Sequence, residues 1–459
     1  MRLRNCYLAL LAALSMATEA PAAPAELQSK LDRYVQSFAD SGLFSGVVLV
    51  RRGKKTILVK AAGVADRGFG VPVTTDTKFQ IASLSKPITS VAIAKLVDGG
   101  QLSYETKIGE LIPGVPNGDK ITIEQLLTHY SGLSSPDRDK GASAWFRFEQ
   151  STAHLVDRVR ASKPMWAPGE RYEYSNANYW LLAAVIEKLS GVSYGAFIKR
   201  EIFDPLGMKD TAHRADLLAV VPKLATGYQL DGPGRFRVSE ILDWTSKTGN
   251  GSIYSTAGDI ATFYEAFVGG RLVKPETAAR MRGPKGKLVG YGWFRRTLER
   301  DGRDALWFNG RSPGYGAYLE GFDDSDTSFV ILSNLYTYAP TAMSEGIVNL
   351  LLGKPAEAMQ PIRIQSMPAA ILNTFTGRFR FGPDFHVRNL GARVVSDSDH
   401  LKMQWDAGDR VSTLIPIGSN TFFDPTYWAT LTFVDAPGGK KIIYKSFGFA
   451  KTYEAVPEG

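Results

Sequence analysis

A chain of 459 residues, 44% hydrophobic and 22% charged, has the composition of an ordinary globular protein and is long enough for two or three domains. Its net charge of +8 is spread along the length and not gathered into basic runs, so nothing marks it for nucleic acid. The single cysteine, Cys6, falls in the first few residues, which leaves the remainder without disulfides, thiolate catalysis or cysteine-ligated metals.

The N-terminus joins a basic start, Met-Arg-Leu-Arg, to an apolar run too short to span a bilayer, followed by Ala20-Pro21-Ala22. This reads as a cleavable signal peptide over residues 1–22, hence as a periplasmic or secreted protein with no later membrane span. Residues 26–40 carry apolar positions at helical spacing, and two strand-like runs, 46–51 and 56–60, flank a turn at Arg52-Gly53-Lys54. A helix is expected from about Ser83 to Gly99, with Pro87 near its start, where the first N–H groups lack partners anyway.

From Leu102 to about Gly270 the pattern is mostly helical, with loops marked by prolines. Strand-like runs return at 305–309, 316–321 and 328–333, followed by a helix over 341–352. Strands at both ends of this region imply one antiparallel sheet built from the two ends, flanked by helices, with a helical lobe inserted between them. After residue 355 the composition shifts, and residues 361–459 alternate in short runs between turn residues, which predicts a small antiparallel barrel or sandwich. The domains expected are therefore 25–355 and 361–459.

The chemistry centres on Ser83 and Lys86, the one Ser-x-x-Lys in the chain. At i and i+3 on a helix the amine reaches the hydroxyl, as an activated nucleophile requires. Tyr174, ahead of a helical run, is the next candidate: a phenol beside a lysine can act as base or acid if the cation lowers its pKa. Asn176 offers an amide to substrate or to Lys86. His129 sits at a helix end and reads as a buried structural histidine. Gly310-Arg311-Ser312-Pro313-Gly314 spells a nucleophile elbow, but a strand-like run follows it where an elbow needs a helix.

Taken together, these stretches resemble the serine hydrolases of the class C β-lactamase type, a family that includes penicillin-binding DD-peptidases, D-amino-acid amidases and esterases. The resemblance runs through residues 26–353 and rests on Phe79-Gln-Ile-Ala-Ser-Leu-Ser-Lys, Leu126-Leu-Thr-His-Tyr-Ser-Gly-Leu, Tyr174-Ser-Asn, Pro205-Leu-Gly-Met-Lys-Asp-Thr and Ser255-Thr-Ala-Gly-Asp. It implies an α/β fold with a helical second lobe, Ser83 as nucleophile, Lys86 and Tyr174 as the base and acid pair, and no cofactor or metal. Residues 361–459 more loosely resemble the lipocalin-like barrel appended to esterase and amidase members.

The family's third motif, Lys or His, then any residue, then Gly, has two candidates here. Lys247-Thr248-Gly249 matches the letters but precedes a helix, whereas Phe308-Asn309-Gly310 has the strand context. Choosing Phe308 removes the cation that would hold a substrate carboxylate and expects a hydrophobic wall in its place, leaving Arg311 or Lys247 as substitute charges. The oxyanion hole would use backbone N–H groups of Ser83 and Arg311. The expected function is ester or amide cleavage of a small molecule or peptide through an acyl-enzyme. β-Lactamase, DD-peptidase or D-aminopeptidase activity, or a penicillin sensor that does not turn over, stand as alternatives.

Overall fold

The computed structural model describes residues 24–285, 288–298, 302–323, 326–446 and 451–458. The expected signal peptide lies outside them. The chain opens with α1 (Pro24–Asp40), then β1 (Gly46–Arg52) and β2 (Lys55–Ala62) as a hairpin. The helical middle supplies α2 (Ser85–Asp98), α3 (Ala177–Ser190) and α4 (Ala257–Val268). Four strands follow, β3 (Phe294–Thr297), β4 (Asp304–Ser312), β5 (Tyr315–Phe322) and β6 (Thr327–Ser333), and then α5 (Ala339–Leu351).

These strands form one antiparallel sheet in the order β3-β4-β5-β6-β1-β2, with Gly46 opposite Ser333, so the two ends of the region meet in the middle of the sheet. Strand alternation sends successive side chains to opposite faces, and both faces are covered, which is why β1 reads as an unbroken apolar run. Val47 and Leu49 pack with the α2, α3 and α4 side, while Val48 and Val50 pack with α1 and α5. The edge strand β3, Phe-Arg-Arg-Thr, was not expected from the sequence, because two arginines break its apolar alternation.

The C-terminal segment is a closed eight-stranded antiparallel barrel, which decides between barrel and sandwich. Its strands are β7 (Gly377–Phe381), β8 (Gly391–Asp397), β9 (His400–Trp405), β10 (Val411–Pro416), β11 (Thr421–Asp424), β12 (Ala429–Ala436), β13 (Gly439–Ser446) and β14 (Thr452–Glu458). Its interior has its own apolar core, but Ile415, Phe423 and Trp428 on its outside join the α1 and α5 layer, with the Trp428 ring stacked on Phe38 at 5.9 Å. Polar contacts tie the same seam: Arg235 grips the Asp399 carboxylate with both guanidinium nitrogens at 2.6 and 2.7 Å, and Thr413 Oγ1 donates to the Leu230 carbonyl at 2.9 Å. The barrel is thereby tied to the α1 and α5 layer and to the segment around residues 230–235.

Among the described residues no single helix is long and apolar enough to cross a membrane. The bent pair Ala177–Ser190 and Tyr194–Leu206 passes on length and composition alone. Burial of α3 from Ala177 through Ile186 accounts for its apolar surface.

Candidate active site

Ser83 stands on a single 3-10 turn, Ala82–Leu84, immediately ahead of α2. The helix itself starts at Ser85, two residues later than the sequence pattern suggests, and Ala82 takes a left-handed φ of 48°. Such a conformation is uncommon outside glycine and has to be held by its surroundings. Here Ile81 N–H donates to the Ile253 carbonyl at 2.9 Å and Leu84 N–H to the Ile81 carbonyl at 3.1 Å. On the other side β4 presses so close that a Cβ on Gly310 would lie 2.1 Å from the Ile81 oxygen. Glycine at 310 is therefore a steric requirement.

The structure brings Ser83, Lys86, Tyr174 and Asn176 together. Lys86 Nζ lies 3.2 Å from Ser83 Oγ, 2.9 Å from Asn176 Oδ1 and 3.0 Å from the Asn250 carbonyl oxygen, and the lysine is fully buried. Tyr174 OH lies 3.0 Å from Ser83 Oγ on its other side. Burial pushes the Lys86 amine well below its ordinary range; Lys247 and Arg138 push it further, and the Asp137 carboxylate only partly opposes them. A neutral amine has two N–H donors and one lone pair. Asn176 Oδ1 and the Asn250 carbonyl can only accept, so they take both hydrogens and the lone pair is left facing the Ser83 hydroxyl.

Asp137, which sequence reasoning missed, orients this arrangement. Asn176 Nδ2 donates to Asp137 Oδ2 at 2.5 Å, and a carboxylate can only accept, so Asn176 must turn its oxygen to Lys86. Ser135 Oγ donates to the other Asp137 oxygen at 2.5 Å, and Lys247 Nζ pairs with Asp137 at 3.5 Å. Lys247 and the other hydrogen-bond partners outweigh the cost of burial and hold Asp137 below its ordinary value, as a carboxylate. The only signal in the sequence was a Ser-Ser-Pro-Asp turn at 134–137, too common to single out.

Two expectations are corrected. Tyr174 does not become a phenolate: burial raises it to about 12, and the nearby lysine does not draw it down because that lysine is itself driven towards the neutral form. Phe308 does not form a wall of the site. Its ring is 2% exposed and stacks on Phe294 at 4.9 Å within the core, because on β4 it shares the inward face of Gly310.

Lys247 ends a 3-10 turn, Trp244–Lys247, and is spoken for by Asp137 and by the Phe146 ring at 3.7 Å. Gly249 packs onto α3, where a Cβ would meet the Tyr179 carbonyl oxygen at 2.3 Å, so Lys247-Thr248-Gly249 is a loop and not a strand motif. Ser312 is the last residue of β4 and leads through a two-residue turn into β5, with no helix behind it. His129 is buried and stacks on Tyr174 at 4.4 Å; its Nδ1 accepts from the Ser175 N–H at 3.2 Å, and burial first, then the Arg138 charge, hold it neutral.

A family model described as Beta-lactamase matches residues 31–353. The chain belongs to the beta-lactamase family. It is 27% identical over 423 residues to Penicillin-binding protein 4* of Bacillus subtilis (strain 168), covering 86% of this chain and 90% of that one. It is 25% identical over 307 residues to a Putative D-alanyl-D-alanine carboxypeptidase of Salmonella paratyphi A, covering 58% and 71%. Among solved structures, the octameric penicillin-binding protein homologue from Pyrococcus abyssi superposes with a TM-score of 0.63 at 22% identity, covering 94% of this chain and 99% of that one. The D-amino acid amidase from Ochrobactrum anthropi SV3, complexed with L-phenylalanine amide, gives 0.61 at 22% identity, covering 72% and 98%. These two likenesses carry the fold alone. Beta-lactamase-family enzymes of this kind are serine hydrolases, and so is this chain.

Proposed function

We propose that this protein is an exported serine hydrolase that cleaves ester or amide bonds through an acyl-enzyme on Ser83. The observation that carries the reading is Ser83 Oγ held between the Lys86 amine at 3.2 Å and the Tyr174 hydroxyl at 3.0 Å. In this reading Lys86 takes the hydroxyl proton as Ser83 attacks the carbonyl carbon. The oxyanion rests on the backbone N–H groups of Ser83 and Arg311. Tyr174, protonated throughout the neutral range, gives its proton to the leaving group and recovers one from Lys86. Water then releases the acyl group by the reverse path.

A second reading, peptidase action on a D-amino-acid C-terminus, is favoured by the likeness to the Putative D-alanyl-D-alanine carboxypeptidase of Salmonella paratyphi A. Esterase or amidase action is preferred because position 308 carries no cation.

The nucleophile is tested by labelling with an active-site phosphonate. Ser83→Ala should abolish labelling and Ser312→Ala should leave it; the reverse result overturns the assignment. Turnover is then compared on a p-nitrophenyl ester and a chromogenic cephalosporin. Ester cleavage alone supports the preferred activity, cephalosporin turnover a lactamase, and stoichiometric labelling without turnover a sensor.

A further inference from the structure

A cavity of about 870 Å³ lies between the sheet domain and the barrel, and it adjoins the Ser83 group through Asn176 and Asp137. That volume is within the range of small-molecule sites. Its walls carry both signs of charge, but the acidic groups are already engaged. Asp137 is held by Lys247 and Asn176, Asp231 by Lys402 at 3.1 Å, and Glu240 by Arg147 at 3.3 Å. Asp409, on the β9–β10 loop, accepts from the Gly141 N–H at 3.2 Å and from Ser143 Oγ at 2.6 Å.

Two cations in the cavity have no such match. Arg311, one residue beyond the glycine that abuts the nucleophile turn, and Arg410, from the same barrel loop as Asp409, both line it. Among the described residues neither has a carboxylate within ion-pair distance. Three tyrosine rings surround the Arg311 guanidinium, Tyr336 and Tyr427 at 5.0 Å and Tyr338 at 5.3 Å, and its Nε and Nη2 are buried without an acceptor. Ring faces attract a cation but do not satisfy its N–H donors. Tyr427 also lines the cavity with Arg410 and acts on its charge, so one phenol borders both guanidinium groups. Asp424, a buried acid whose carboxyl feels the Arg311 charge, is raised to about 6 by burial and does not come within ion-pair distance of Arg311.

We infer that Arg311 and the barrel residue Arg410 form an anion subsite in this cavity, which takes a carboxylate carried by the substrate. The inference rests on the hydrolase reading above for the word substrate, but the subsite itself does not. It assigns to the C-terminal barrel a part in recognition: the charge absent at position 308 is supplied from a different strand face and a different domain. Paired guanidinium groups suit a carboxylate because each presents parallel N–H donors to both oxygens.

The test uses the full chain and glutarate as the probe, with uncharged glutaramide as control, followed by calorimetry so that no turnover is needed. Glutarate should bind wild type more tightly than glutaramide does. Arg410→Gln should weaken glutarate binding about 10-fold or more, and Arg410→Lys should recover part of it, as the removal of a charge-assisted hydrogen bond predicts. The same affinity for both probes, or an Arg410→Gln variant that melts like wild type and binds glutarate equally well, overturns the subsite. Failure of Ser83 to label while glutarate still binds through Arg410 would overturn the hydrolase reading and leave the subsite standing.

Discussion

Gly310→Ala replaces a hydrogen with a methyl group at the point where β4 touches the nucleophile turn. The new Cβ would lie 2.1 Å from the Ile81 carbonyl oxygen and 3.0 Å from the Leu84 nitrogen, both backbone atoms that no rotamer change can move aside. Restoring an ordinary contact demands about 1 Å of separation between the strand and the turn, and a displacement of that size at reacting groups costs on the order of 100-fold in rate. Overpacking of this kind destabilises by about 1–3 kcal/mol, which leaves most molecules folded in a protein of ordinary stability. Ester turnover measured beside thermal unfolding therefore separates the two effects. The expected result is a loss of kcat/KM near 100-fold in a sample that still melts cooperatively. A variant that keeps activity within about twofold would mean that the strand does not set the position of Ser83.

Two further expectations concern pH. With Lys86 depressed and active only when neutral, kcat/KM should rise with pH as the amine loses its proton, and no falling limb from Tyr174 should appear below about pH 11, since that phenol lies at about 12. A bell-shaped profile whose falling limb disappears in Tyr174→Phe near neutrality would contradict this. Asp424 is raised by burial from its ordinary 3.8 to about 6, so the native state holds its proton more tightly than the unfolded chain does. Its contribution is fully present below about pH 4 and is lost as pH rises through 6, a change on the order of 3 kcal/mol. Asp424→Asn keeps an acceptor for the Thr426 and Tyr427 N–H groups and removes the titration. In denaturant unfolding it should gain on wild type between about pH 4 and pH 7; a difference that stays constant over that interval refutes the account.

Much of the architecture was legible because it rests on periodicity. The apolar run of β1, the alternation of the barrel strands and the Pro87-marked start of α2 each follow from one local pattern. The nucleophile pair was legible for the same reason, since helical spacing alone brings Lys86 to Ser83. Asp137 and Arg410 were not, because their roles depend on which loops meet after folding, and a turn aspartate or a loop arginine looks the same whether or not it faces a site. The direction of the Tyr174 shift was misjudged because a neighbouring lysine was counted as a charge; burial, a property of the assembled core, removes that charge and raises the phenol together.

The placement of β6 between β1 and β5 carries a consequence for how the molecule is made. Until residues 327–333 emerge from the ribosome, the β1–β2 hairpin has no partner on its inner edge; one of its faces waits for α2, α3 and α4, and the other, already offered α1, waits for α5. Long-range pairing of this kind is slow, and an unpaired apolar strand edge is a template for aggregation. The nascent chain therefore gains little from folding early.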